Sequence, residues 1–104
     1  MVIDAVGDLL DAASDAHRLQ NYLYALAQHF AVRGVTSLFH YETVDTGRIE
    51  TRFSNLADNI LLLGIELEDG RGRRTMRVVK ARGVAHDLDI HELRIKESGV
   101  EVTA

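Results

Sequence analysis

The sequence predicts an α/β fold in which a parallel βαβ unit is followed by an antiparallel β-meander. Two observations carry this reading. An apolar stripe of helical period lies between two short runs rich in β-branched and apolar residues. Beyond it, a long apolar run, an Asp-Gly turn, a returning segment and a last pair of short runs around Ser98-Gly99 follow one another without helical spacing.

Taken in order, MVIDAV is apolar except for Asp4 and starts at the first residue with no lead-in, so the chain is expected to begin inside a domain. GDLLDAASD has the Gly, Asp and Ser of a loop, with a single helical turn around Leu9 and Leu10. Ser14 or Asp15 can cap a helix running to Arg33. In it Leu19, Tyr22, Leu23, Leu26, Ala27 and Phe30 recur at the spacing of one helix face. Arg33 suits the negative end of the helix dipole, and Gly34 the position just past the cap. VTSLFHYET then reads as a strand, and strand–helix–strand with tight connections makes the two strands parallel. VDTGRIETRFSNLAD, with Gly47, is a polar loop with one helical turn over 54–57. NILLLGIEL is a near-continuous apolar run and reads as a buried strand. EDGRGR carries the Asp-Gly hairpin signal, RTMRVVKAR is the returning strand, and HELRIKESGVEVTA supplies two more short strands.

A chain of 104 residues, 46% hydrophobic and 27% charged, has the size and composition of one small globular domain. Its net charge of −4 argues against non-specific nucleic-acid binding. No apolar run approaches the roughly 18 residues that a membrane span needs. The absence of cysteine excludes disulfides, zinc ribbons and thiol catalysis, and accords with the expected cytoplasmic location. Charge is unevenly placed. Arg71, Arg73, Arg74, Arg77, Lys80 and Arg82 fall within one short stretch, whereas Asp4, Asp8, Asp11 and Asp15 open the chain with no basic residue among them. Such polarity suits one edge meeting the opposite edge of a neighbouring copy, and equally suits a solvated hairpin and turn.

Asp4 closes the first strand, a position that suits either a turn residue or a carboxylate held near a magnesium–phosphate group. Glu42 closes the second, after His40 and Tyr41, and ligands of open parallel sheets gather outside such strand ends. Lys80 and Arg82 are two apart, so an extended strand turns both to one face, with Gly83 and His86 just beyond. Paired cations before a Gly-permitted turn suit a polyphosphate, with Arg as a fork and Lys as a point charge; they also suit an edge strand defended by charge. His17 and His29 lie too far apart on the helix to share a metal, and His86, Asp87, Asp89 and His91 have no diagnostic ligand spacing. The pattern GxxxxGK[ST] is absent, and GRGRR lacks a following helix, so this chain has no phosphate cradle of its own.

The segments MVIDAVGDLLDAASD, FAVRGVTSLFHYE and LADNILLLGIELEDGRGRRTMRVVKARGVAHD resemble the C-terminal half of a KaiC-type domain, in the RecA-like P-loop ATPase family of the cyanobacterial clock. The resemblance covers nearly the whole chain, and its most specific piece is the strand, hairpin and KxRGxxH run. It implies that residues 1–104 form a partial ATPase domain from the Walker B strand onward, with the Walker A half and the paired catalytic glutamates lying upstream. It also implies that Asp4 is the Walker B aspartate beside Mg2+, that Glu42 stands where relatives close the next strand with TTE or TSE, and that Lys80, Arg82 and His86 reach ATP held by a neighbouring subunit of a ring. ATP and Mg2+ are then cofactors of the intact domain, with none held tightly by this chain alone, and the partners are copies of the chain itself. The alternative is a non-catalytic module that associates with itself or another protein through an uncovered sheet edge. Binding of nucleic acid rests on the arginine cluster alone, which lacks interleaved aromatic residues.

Overall fold

The computed structural model describes residues 1–42 and 55–103, which fall into two compact units, Met1–Leu56 and Ala57–Ala104. Most of the polar loop expected around Gly47 lies outside the described residues.

In the first unit, β1 (Val2–Ile3) pairs in parallel with β2 (Leu38–Phe39), with Val2 opposite Leu38 and Ile3 opposite Phe39. Backbone bonds from Leu38 N–H to the Met1 carbonyl (2.8 Å) and from His40 N–H to the Ile3 carbonyl (2.9 Å) close this ladder. The expected βαβ order is therefore present, although both strands are shorter than their apolar runs. The first connection departs from expectation: it is not a loop with one turn but a helix, α1 (Val6–Ala12). Val6, Leu9 and Leu10 stand at helical spacing, and the complete burial of Val6 outweighs the turn preference of Gly7 and Asp8.

The long helix α2 spans Ala16–Ala31. Its N-cap is Asp15, whose carboxylate accepts from the Arg18 backbone N–H at 3.1 Å. At the other end Val35 N–H donates to the Phe30 carbonyl and Gly34 N–H to the Ala31 carbonyl, both at 3.0 Å, around Gly34 in the left-handed region (φ 73°). The Arg33 guanidinium donates to the His29 carbonyl at 2.7 Å, giving another last-turn acceptor a charged donor. Of the predicted stripe, Leu23 is buried, Leu19, Leu26, Ala27 and Phe30 are half-buried, and Tyr22 is exposed.

The second unit is a four-stranded antiparallel meander of β3 (Asn59–Glu68), β4 (Arg71–Ala81), β5 (His91–Lys96) and β6 (Gly99–Thr103), in that spatial order. Asp69 and Gly70 both have positive φ (51° and 76°), as a two-residue turn matched to the twist of its strands requires. The register makes the two faces of this sheet chemically different. Leu61, Leu63, Ile65 and Leu67 share one face with Met76 and Val78 of β4 and with Ile95 and Val100 further along. The opposite face carries Glu66, Glu68, Arg73, Glu92 and Arg94, joined by ion pairs from Arg73 to Glu68 (3.6 Å) and Glu92 (3.5 Å) and from Arg94 to Glu92 (3.1 Å). Arg94, then Arg73, hold the Glu92 carboxyl below its usual range. NILLLGIEL is thus a strand as expected, but it is not buried. Every second residue from Leu61 to Leu67 is exposed, Leu67 by 82%, because a sheet buries an apolar face only where another layer covers it.

Candidate functional site

The strand ends of the first unit gather three of its polar residues. Because Ile3 stands opposite Phe39 in a parallel pair, the next residues, Asp4 and His40, emerge side by side. His40 Nδ1–H donates to the Asp4 carboxylate at 2.6 Å, and both side chains are more than half exposed. That hydrogen bond raises the His40 pKa, opposed by desolvation and further supported by the charges of Asp4, Glu42 and Asp8. Glu42 lies exposed just beyond β2, and the Asp4–Ala5 peptide bond is cis. An ionised carboxylate open to solvent and steadied by a histidine can accept hydrogen bonds from the water shell of a hard cation.

The cationic end of β4 owes its geometry to a bulge. Ile60 stands opposite Lys80 but Leu61 opposite Val78, so Val79 is an extra residue in β4. One inserted residue moves every later side chain to the other face. Lys80 and Arg82 therefore leave the face of Met76 and Val78 and join that of Arg73 and Arg77. Arg82 continues the ladder by donating its backbone N–H to the Asp58 carbonyl at 2.9 Å, and its guanidinium meets the Asp58 carboxylate at 2.8 Å with both side chains exposed. Lys80 is half-buried. Gly83 turns the chain with φ 74°, a conformation that costs a side-chain-bearing residue about 1–2 kcal/mol.

His86 follows in the exposed loop 83–90, beside a shallow apolar pocket whose walls include Met76, Val78 and Val102. Within this loop Asp87 accepts from His91 Nε2 at 3.0 Å and from the Asp89 backbone N–H at 3.1 Å. Among the described residues, no group of three or more His, Cys, Asp or Glu gathers in an arrangement that could hold a metal ion. Nor, among them, is any helix long and apolar enough to cross a membrane.

Asp4 and Glu42 thus share the strand ends of the first unit, while Lys80, Arg82 and His86 line the end of β4 and its loop in the second. Sequence reasoning missed three partners: His40 on Asp4, Asp58 on Arg82, and His91 on Asp87. The first follows from parallel register once the βαβ unit is accepted. The Asp58–Arg82 pair joins residues 24 apart and leaves no local signal.

A family model described as the KaiC ATPase matches residues 1–104. The chain is 31% identical over 103 residues to the circadian clock oscillator protein KaiC of Picosynechococcus, covering 96% of this chain and 19% of that protein. With KaiC of Thermosynechococcus vestitus the identity is 34% over 87 residues, covering 81% and 16%, and with the circadian clock protein KaiC3 of Synechocystis it is 29% over 87 residues, covering 81% and 17%. The chain therefore spans less than a fifth of the length of these curated relatives. The crystal structure of a KaiC-like protein from Pyrococcus horikoshii OT3 superposes with a TM-score of 0.80 at 18% identity, covering 99% of this chain and 48% of that one. Parallel and antiparallel sheets with flanking helices are accordingly those of a RecA-like fold fragment. The chain belongs to the KaiC family of ATPases and matches the C-terminal portion of its ATPase domain.

Proposed function

We propose that residues 1–104 are the Walker B strand and the trans-acting segment of a KaiC-type ATPase domain that works as a ring of subunits. The observation that carries this reading is the bulge at Val79, which turns Lys80 and Arg82 away from the apolar face of the sheet and onto its charged face, immediately before the left-handed Gly83. An exposed guanidinium and a neighbouring ammonium fit the oxygens of a triphosphate, the first as a fork and the second as a point charge. Arg82 is exchangeable, because its partner Asp58 is a solvent-exposed carboxylate and such pairs contribute only about 0–1 kcal/mol. His86, on the loop that follows, adds an imidazole donor. Asp4, with His40 holding one carboxylate oxygen, suits the water shell of Mg2+, and Glu42 stands at the adjacent strand end. When bound, Mg2+ would neutralise phosphate charge. The residues of this chain would orient its water shell from Asp4 and supply positive charge from Lys80 and Arg82 to a nucleotide cradled by another subunit.

These 104 residues contain no GxxxxGK[ST], so they should not bind Mg-ATP tightly by themselves. Isothermal titration of the chain with Mg-ATP is expected to give no saturable heat. A micromolar dissociation constant would mean that a cradle exists within these residues, and would sink this division of labour.

A second reading, a self-association module, is favoured by the alternating exposed row Leu61, Leu63, Ile65 and Leu67 on edge strand β3, and by exposed Val2 and Leu38 on the parallel pair. An uncovered apolar face beside a long unprotected edge favours a second copy of the same chain. Light scattering is expected to give a concentration-dependent mass above that of the monomer, lowered by Leu63→Glu. A monomer at all concentrations excludes the module.

A further inference from the structure

We propose that Asp87 and His91 are positioning residues, forming a carboxylate–imidazolium clasp that ties loop 83–90 to the start of β5 and opens when His91 loses a proton. The geometry requires the charged ring. His91 Nε2 faces the Asp87 carboxylate at 3.0 Å, and its Nδ1 faces the backbone carbonyl of Thr103 at 3.2 Å. Both partners accept and neither donates when Asp87 is ionised. A neutral imidazole carries one N–H, so it satisfies one acceptor and turns a lone pair on the other. The imidazolium satisfies both at once. Asp87 is itself held in place by the Asp89 N–H, which makes it a fixed acceptor within the loop.

The surroundings sharpen the effect. β4 contributes Met76 and Val78 to the adjoining pocket and β6 contributes Val102 and Thr103, none of them titratable, while the loop contributes His86 and Asp87; the Asp89 charge also acts on His91. The hydrogen bond to Asp87 is the main cause of an elevated His91 pKa, opposed by desolvation and supported by the Asp87 charge, the Thr103 carbonyl and Asp89. The same bond, with that from Asp89 N–H, lowers the pKa of Asp87. The raised histidine stabilises the folded loop below its ordinary value of 6.5, and this contribution is lost as pH rises through the higher folded value. The lowered carboxyl contributes above its ordinary value of 3.8, and its contribution is lost as pH falls through the lower folded value. The clasp is therefore closed between those limits and opens on the alkaline side when His91 becomes neutral.

The functional weight of the clasp rests on reading Arg82 and His86 as nucleotide contacts, because the loop that it anchors carries His86 and follows directly on Arg82. Its existence does not. The test is NMR titration of the His91 imidazole in the whole 104-residue chain, in the wild type and in Asp87→Asn, with amide exchange of residues 83–90 followed in parallel and the amides of β5 and β6 as the folding control. His91 is expected to titrate above 6.5 in the wild type and to fall back toward that value in Asp87→Asn. Loop protection, corrected for intrinsic exchange, should drop as pH passes the His91 midpoint, by about tenfold for each unit separating the two midpoints. In Asp87→Asn it should be low at every pH. A wild-type midpoint at or below 6.5, a midpoint unmoved by Asp87→Asn, or loop protection that ignores the titration overturns the clasp. The readings separate cleanly. A ring indifferent to Arg82→Ala, together with a normal clasp titration, rejects the nucleotide reading and leaves the clasp standing.

Discussion

Truncating Arg82 to alanine in a ring of full-length subunits is expected to slow ATP hydrolysis by up to about a thousandfold, the scale of an arginine finger, and to weaken nucleotide-dependent assembly. The same change in the 104-residue chain should move stability by no more than about 0.5 kcal/mol, since it removes one exposed ion pair with Asp58 and no buried contact. This contrast between a large kinetic effect and a small folding effect marks a residue whose functional partner lies outside its own chain. Subunit mixing tests the point directly. In a mixed ring, an Arg82→Ala subunit keeps its cradle and receives an arginine from a cradle-dead neighbour, so part of the activity should return. If the mixture restores none, Arg82 does not act in trans.

Leu23→Ala should unfold the first unit or bring it to the edge of unfolding. Among the described residues, the fully buried side chains of this unit are Val6 and Leu23, the latter only 2% exposed. Removing a buried leucine to its Cβ typically costs about 2–5 kcal/mol, from lost transfer energy and the cavity left behind. That is a large share of the roughly 5–15 kcal/mol that holds a domain together. Helical circular dichroism in urea should show a markedly lower midpoint for Leu23→Ala. Tyr22→Ala, one residue away but exposed, should stay within about 0.5 kcal/mol of the wild type. Equal shifts for the two variants would mean that α2 does not pack through Leu23.

The α2 stripe is legible because helical spacing, a capping side chain at Ser14 or Asp15 and a glycine stop agree with one another, and the structure has the helix, the cap at Asp15 and the left-handed Gly34. The Asp-Gly turn was legible for the same reason: Asp69 and Gly70 accept the positive φ that a two-residue hairpin demands. Helix α1 was not, because Gly7, Asp8 and Asp11 speak for a loop when weighed locally. Only the burial of Val6 reverses that balance. NILLLGIEL misled in the opposite direction. A continuous apolar run has the composition of a strand covered on both sides, and composition carries no information about whether a second layer is present.

Local chemistry in the sequence determined the order of the elements other than α1, the parallel sense of the first strand pair, the absence of the GxxxxGK[ST] pattern, and the candidacy of Asp4, Glu42, Lys80, Arg82 and His86. Tertiary structure alone decided which faces those residues occupy and which groups stand against them. Residues two apart share a face in any strand, so the pairing of Lys80 with Arg82 was readable in advance. Which face they share depends on the extra residue at Val79, and a bulge is a property of two strands in register rather than of one strand's residues. The partners His40, Asp58 and His91 are likewise set by where the chain returns to itself. Short-range propensities end within a few residues, whereas hydrogen bonds and ion pairs are made with whatever group the fold brings within about 3 Å.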